Sequence, residues 1–174
     1  MNALIEKLKK KDEAALKEVM SMYKKPVCNF LNLMVGNREL AEELTQDTFV
    51  KVYFKAHSLK TENLKSWIYT IAVNLARSEF RKRRLKILFS LSDIGEHHVS
   101  FTPSYENSII LEQVMTQIPE KYRVPLVMKE VDNFSFEEIA ETLQKPLGTV
   151  KSLVFRGKKL LRENFPQLAG EQND

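Results

Sequence analysis

Pro146 is the residue that most narrows the folds open to this chain. It lies in FSFEEIAETLQKPLGTVKSLVFRGKKLLRE, residues 134–163. Lacking an N–H, and with a ring that clashes one turn back, proline fits a helix only in its first turn. Before it, Phe136, Ile139, Ala140 and Leu143 recur at i, i+3, i+4 and i+7, which predicts a helix with one buried face. Ser135 and Glu138 form an S-x-x-E capping box that sets the start of that helix. A second helix is predicted to begin at Lys145-Pro146, with Val150, Leu153, Val154, Leu160 and Leu161 on its apolar side. The segment is two short helices around a tight corner.

Charge divides this pair. From Glu130 to Glu141 there are five acids and no base, and from Lys145 to Arg162 six bases and no acid. One reading is a helix-turn-helix whose second member enters a DNA major groove. The other is a helical hairpin with a solvated basic face. The segregation favours the first, because phosphate repels an acidic helix while a basic one gains from counterion release.

The rest of the chain also reads as helix. Leu4, Ile5 and Leu8 make a short amphipathic turn. A stripe from Ala15 to Tyr23 resumes past Pro26 at Val27, Phe30, Leu31 and Met34, and Pro26 is expected to kink or split that helix. Gly36-Asn37 ends it, with Asn37 as N-cap of a third helix carrying Leu40, Ala41, Leu44, Thr48, Val52 and Tyr53 on one side. A fourth is expected from about Leu64 to Arg84, with Trp67 on its apolar stripe. Residues 85–107 lose the period and hold Gly95, Pro103 and His97-His98, which reads as a linker. Periodicity resumes at Ile110 and runs to Val131. No strand alternation appears. The expected fold is all-α, with two small helical modules joined by an irregular linker, the second a helix-turn-helix.

Composition excludes several functions. Net charge is +4 over 174 residues, but residues 1–84 carry 17 bases against 10 acids, and ARSEFRKRRLK holds six bases among eleven residues. A lone Cys28 cannot close an internal disulfide, and it falls on an apolar stripe. The N-terminus has no apolar core of signal-peptide length, and no apolar run approaches the ~20 residues that span a bilayer. A soluble cytoplasmic protein without direct membrane insertion is the expectation. No P-loop, G-x-S-x-G or metal-spaced Cys/His cluster is present, so no enzyme, cofactor or metal is expected. Adjacent histidines in a linker read as solvated.

IPEKYRVPLVMKEVDNFSFEEIAETLQKPLGTVKSLVFRGKKLLRE closely resembles the C-terminal DNA-binding domain of the extracytoplasmic-function (ECF) sigma factors of bacterial RNA polymerase. AEELTQDTFVKVY and SWIYTIAVNLARSEFRKRR resemble that family's polymerase-binding and promoter-opening helices, in the same order. The resemblance implies a first domain over 1–84 for core polymerase and the minus-10 element, a linker over 85–107, and a minus-35 domain over 108–174. It implies polymerase contacts at Glu43, Gln46, Asp47, Phe49 and Lys51. Minus-10 contacts are implied at Tyr69, Asn74 and Arg77 and at the cluster Arg81, Lys82, Arg83 and Arg84, with the loop HSLKTENLK selecting an extruded base. Thr149, Lys151, Ser152, Arg156 and Lys159 are implied for the minus-35 element. The implied partners are core RNA polymerase, promoter DNA and an anti-sigma factor, often membrane-bound in this family.

Val73, Gln144, Leu153 and Gly157 depart from the family, which often has Arg, Gly, Arg and Ala there. Leu153 bears most on DNA preference, since an Arg would supply a guanine or phosphate contact. A stand-alone helix-turn-helix regulator is the alternative. Such proteins are typically dimers, and this chain shows no heptad seam.

Overall fold

Local signals set where each helix starts and stops in the computed structural model, which describes residues 2–60, 62–89 and 106–165. Helix α1 spans Asn2–Lys9 and buries Leu4, Ile5 and Leu8. Asp12 caps α2, Glu13–Val35, by accepting from the N–H groups of Ala14 and Ala15. Gly36 ends α2 at φ 63°, and Asn37 caps α3, Arg38–Lys55, through the Leu40 N–H. After a 3-10 turn at Ala56–Ser58 comes α4, Leu64–Phe89, whose Ser66 N–H is held by Asn63. Then follow α5, Glu106–Gln117; α6, Glu120–Glu130; α7, Phe136–Leu143; and α8, Leu147–Asn164.

The capping box at Ser135–Glu138 is present with both hydrogen bonds, and α8 begins directly after Pro146. Pro26 does not split α2. It lies on the exposed side, where the carbonyl it leaves without a donor can turn to water. The run from Ile110 to Val131, read as one periodic stretch, is two helices divided at Pro119. Helix α4 continues to Phe89 and α5 begins at Glu106, so helix enters both ends of the span 85–107. His97-His98 lie outside the described residues. Among the described residues no helix is long and apolar enough to cross a membrane.

The two halves, α1–α4 and α5–α8, share one core. Tyr69 of α4 is fully buried, with Phe30 of α2 at 5.1 Å on one side and Phe134 of the α6–α7 turn at 4.7 Å on the other. Such tilted ring pairs add to the area effect of burying aromatic surface.

Candidate nucleic-acid and polymerase interface

Helix α8 buries Val150, Val154 and Gly157 and turns its other sides outward. Gly157 lets it approach α6 closely: a Cβ there would lie 3.3 Å from the Tyr122 carbonyl and 3.4 Å from Leu126. Thr149, Lys151, Ser152, Arg156 and Lys159 are all exposed. Lys159 pairs with Glu163 at 3.6 Å, a weak exposed contact that phosphate can replace. Hydrogen bonds from Lys121 and from Arg156 hold the Tyr122 phenol below its usual range. Phe155, 69% exposed, stands on the same outward side. Leu153 is half-buried at the edge of the apolar face, so its methyls partly pack where a longer cation would reach out.

The corner itself carries strain. Gln144 ends α7 at φ 52°, a left-handed conformation that glycine adopts freely and other residues adopt at a cost of about 1–2 kcal/mol. Glycine would carry no such cost at this position.

On α3, Glu43, Gln46, Asp47 and Lys51 are exposed along one side. Phe49 is not among them. It is 3% exposed and shares the buried face with Ala41, Thr45, Thr48 and Val52, so its expected polymerase contact is not available at the surface. The outward apolar surface is Val50 and Phe54, 53% and 58% exposed, which the sequence reading passed over. The signal was present: at 100° per residue, 46, 50 and 54 follow the outward side marked by Gln46.

On α4, Asn74 and Arg81, Lys82, Arg83 and Arg84 are exposed. Tyr69 is a correction. Its ring is in the core and its hydroxyl donates to Asp132 Oδ1 at 3.0 Å, so in this arrangement it meets no DNA. Arg77 is partly covered, pairing with Glu120 at 3.3 Å.

Those last two contacts belong to a series that joins the halves. Lys65 donates to the Asp132 carbonyl at 2.8 Å and lies 3.8 Å from the Phe134 ring centroid. Thr70 donates to the Thr142 carbonyl, Asn63 to Glu138, and Asn32 to Glu112 at 2.6 Å. The Arg123 guanidinium, itself buried, donates to Met34, Thr116 and Ile118 carbonyls. Burial holds its pKa below the usual value. No sequence signal marked Arg123 or Asp132.

Two family matches cover most of the chain: sigma-70 region 2 over residues 19–86, and sigma-70, region 4 over residues 108–161. The ECF RNA polymerase sigma factor SigW of Bacillus subtilis is 28% identical, over 94% of this chain and 96% of its own. The ECF RNA polymerase sigma-E factor of Haemophilus influenzae is 26% identical, over 95% of each. Among solved structures, the sigma factor RpoE of Bartonella quintana, crystallised with the anti-sigma factor NepR, superposes with a TM-score of 0.75. It is 26% identical and covers 90% of this chain and 98% of that one. CnrH, in complex with the cytosolic domain of CnrY, has the same TM-score at 14% identity, covering 95% and 96%, and shows the shared fold.

Proposed function

The chain is an ECF sigma factor of the sigma-70 family, and we propose that its promoter-directing work is divided among the surfaces just described. The exposed side of α3, with Glu43, Gln46, Asp47 and Lys51 around Val50 and Phe54, docks on core RNA polymerase. Asn74 and the cations from Arg81 to Arg84 hold the minus-10 element, where an opened strand needs phosphate neutralisation and polar contact to a displaced base. The outward side of α8 reads the minus-35 element, with Arg156 suited to a guanine edge and Lys151 and Lys159 to phosphate. The proposed boundaries are 1–84, a linker over 85–107, and 108–174, supported by family matches over 19–86 and 108–161.

The observation that carries this reading is the exposure of all five minus-35 candidates on one basic helix whose opposite side is packed on α6. The family initiates transcription without catalysis of its own, so the chain is read as a specificity subunit that works in the cytoplasm beside polymerase. The RpoE structure carries an anti-sigma partner, which supports control by such a protein here. Purified chain is added to bacterial core RNA polymerase with a promoter library. Start-site-specific transcripts are expected, and their absence would refute the reading. A symmetric footprint by the chain alone would favour a stand-alone regulator.

A further inference from the structure

We propose that Tyr122 of α6 is a positioning residue for minus-35 recognition: its phenol oxygen holds the guanidinium of Arg156 in the orientation that reads a guanine edge. The inference deepens the reading of α8 as the minus-35 helix and rests on it.

The packing of two helices sets the pair side by side. Arg123 turns into the core, so its neighbour Tyr122 faces another way. Leu126, four residues on and therefore on the same side of α6 as Tyr122, meets α8 at Gly157. A Cβ at Gly157 would lie 3.4 Å from Leu126 and 3.3 Å from the Tyr122 carbonyl, so α8 comes close to the α6 backbone there. Further along α6, Glu130 pairs with Lys158 at 2.9 Å. This approach brings the Tyr122 side chain beside Arg156, the residue before Gly157. The phenol accepts hydrogen bonds from Arg156 and from Lys121. The Lys121 ammonium lies 4.8 Å from the ring centroid.

The kind of partner matters. Two other cations of α8 pair with acids, Lys158 with Glu130 and Lys159 with Glu163. Among the described residues no carboxylate pairs with Arg156, whose partner is a neutral hydroxyl. A phenol directs a guanidinium without cancelling its charge. One bond to it leaves the paired N–H donors that guanine O6 and N7 accept. Arg156 remains exposed, so those donors are open to a partner. A long side chain loses rotamer freedom when it binds, and a neighbour that already restricts it reduces that loss. Minus-35 reading is thereby shared between α8 and the first turn of α6.

A mutant cycle tests this. Tyr122→Phe removes the hydroxyl and keeps the ring, and Arg156→Ala and the double variant complete the cycle. Each full chain is assembled with core RNA polymerase, and binding is titrated on promoter duplexes in which each minus-35 base pair is varied in turn. Tyr122→Phe is expected to lower discrimination at the base pair that depends on Arg156 by about 3- to 10-fold, the worth of one hydrogen bond. The salt slope and the preferences at other base pairs should stay as they are. In the Arg156→Ala background the same substitution should change nothing. Unchanged discrimination in Tyr122→Phe would overturn the proposal. So would a uniform loss on every duplex, which marks a packing role, or an equal loss in the Arg156→Ala background. If the unmodified holoenzyme shows no minus-35 preference, the reading of α8 itself fails and the proposal falls with it. If a preference exists and none of it depends on Arg156, the proposal alone fails.

Discussion

The guanidinium of Arg123 donates to the carbonyl of Met34, 89 residues earlier in the chain, and so ties the last turn of α2 to the end of α5. Its other donors reach Thr116 and Ile118. The cation thereby meets the negative ends of two helices, which stabilise positive charge. Glu120 adds a more distant attraction.

Replacing Arg123 by methionine keeps the stem and removes the three donors. Hydrogen bonds to charged groups are worth about 1.5–3 kcal/mol, so a loss of that order is expected in urea unfolding. Arg123→Lys should recover little, because an ammonium cannot present the planar fork to three carbonyls.

Acidity should stabilise the fold through Asp132. Burial pushes its carboxyl up to about 6 from an ordinary 3.8, opposed by the Tyr69 hydrogen bond and the Lys65 charge. Tyr69 and Lys65 of α4 face it. The folded chain binds the proton more tightly than the unfolded one. Its stabilisation is therefore full below about 4 and lost as pH rises through 6. Between pH 7 and pH 5 the folding equilibrium should rise about tenfold, read by urea unfolding at each pH. Asp132→Asn should flatten the response.

Gln144→Gly should stabilise the fold by about 1 kcal/mol, since φ 52° costs a side chain and costs glycine nothing. Gly157→Leu should do the opposite. The space between α8 and the Tyr122 carbonyl is already filled, and overpacking costs about 1–3 kcal/mol. Thermal melts of both variants check the pair.

At the minus-35 element, Arg156 and Lys159 should behave differently. Arg156→Ala in holoenzyme should cost about 1–3 kcal/mol in promoter binding and relax preference at one base pair. Lys159→Ala should weaken all sequences alike and reduce the salt slope by about 1. Binding titrations at several salt concentrations, on duplexes varied in that element, separate the two.

Helix ends were readable because their causes are local. The Asn37 and Ser135 caps, the Gly36 stop and the Pro146 start each depend on groups within four residues, and all four stand where the pattern places them. The basic outward side of α8 followed from the same arithmetic of 100° per residue. Pro26 does not split α2, because a proline's effect depends on whether water can reach the carbonyl it strands. That is a matter of surroundings.

Phe49 and Tyr69 show the boundary most clearly. Both are aromatic residues in motifs associated with partners, and the partner motif rather than the buried stripe beside each ring carried the expectation. Phe49 is buried by the packing of α3 within its own half, and Tyr69 by Phe30 and by Phe134 from 65 residues downstream. The local code thus prescribed the helical character of the described residues, the caps at Asn37 and Ser135, and the charged sides. Which aromatic rings, which lone arginine and which aspartate became the seam between the halves was settled by long-range packing, because burial depends on groups distant in sequence that only the folded chain brings together.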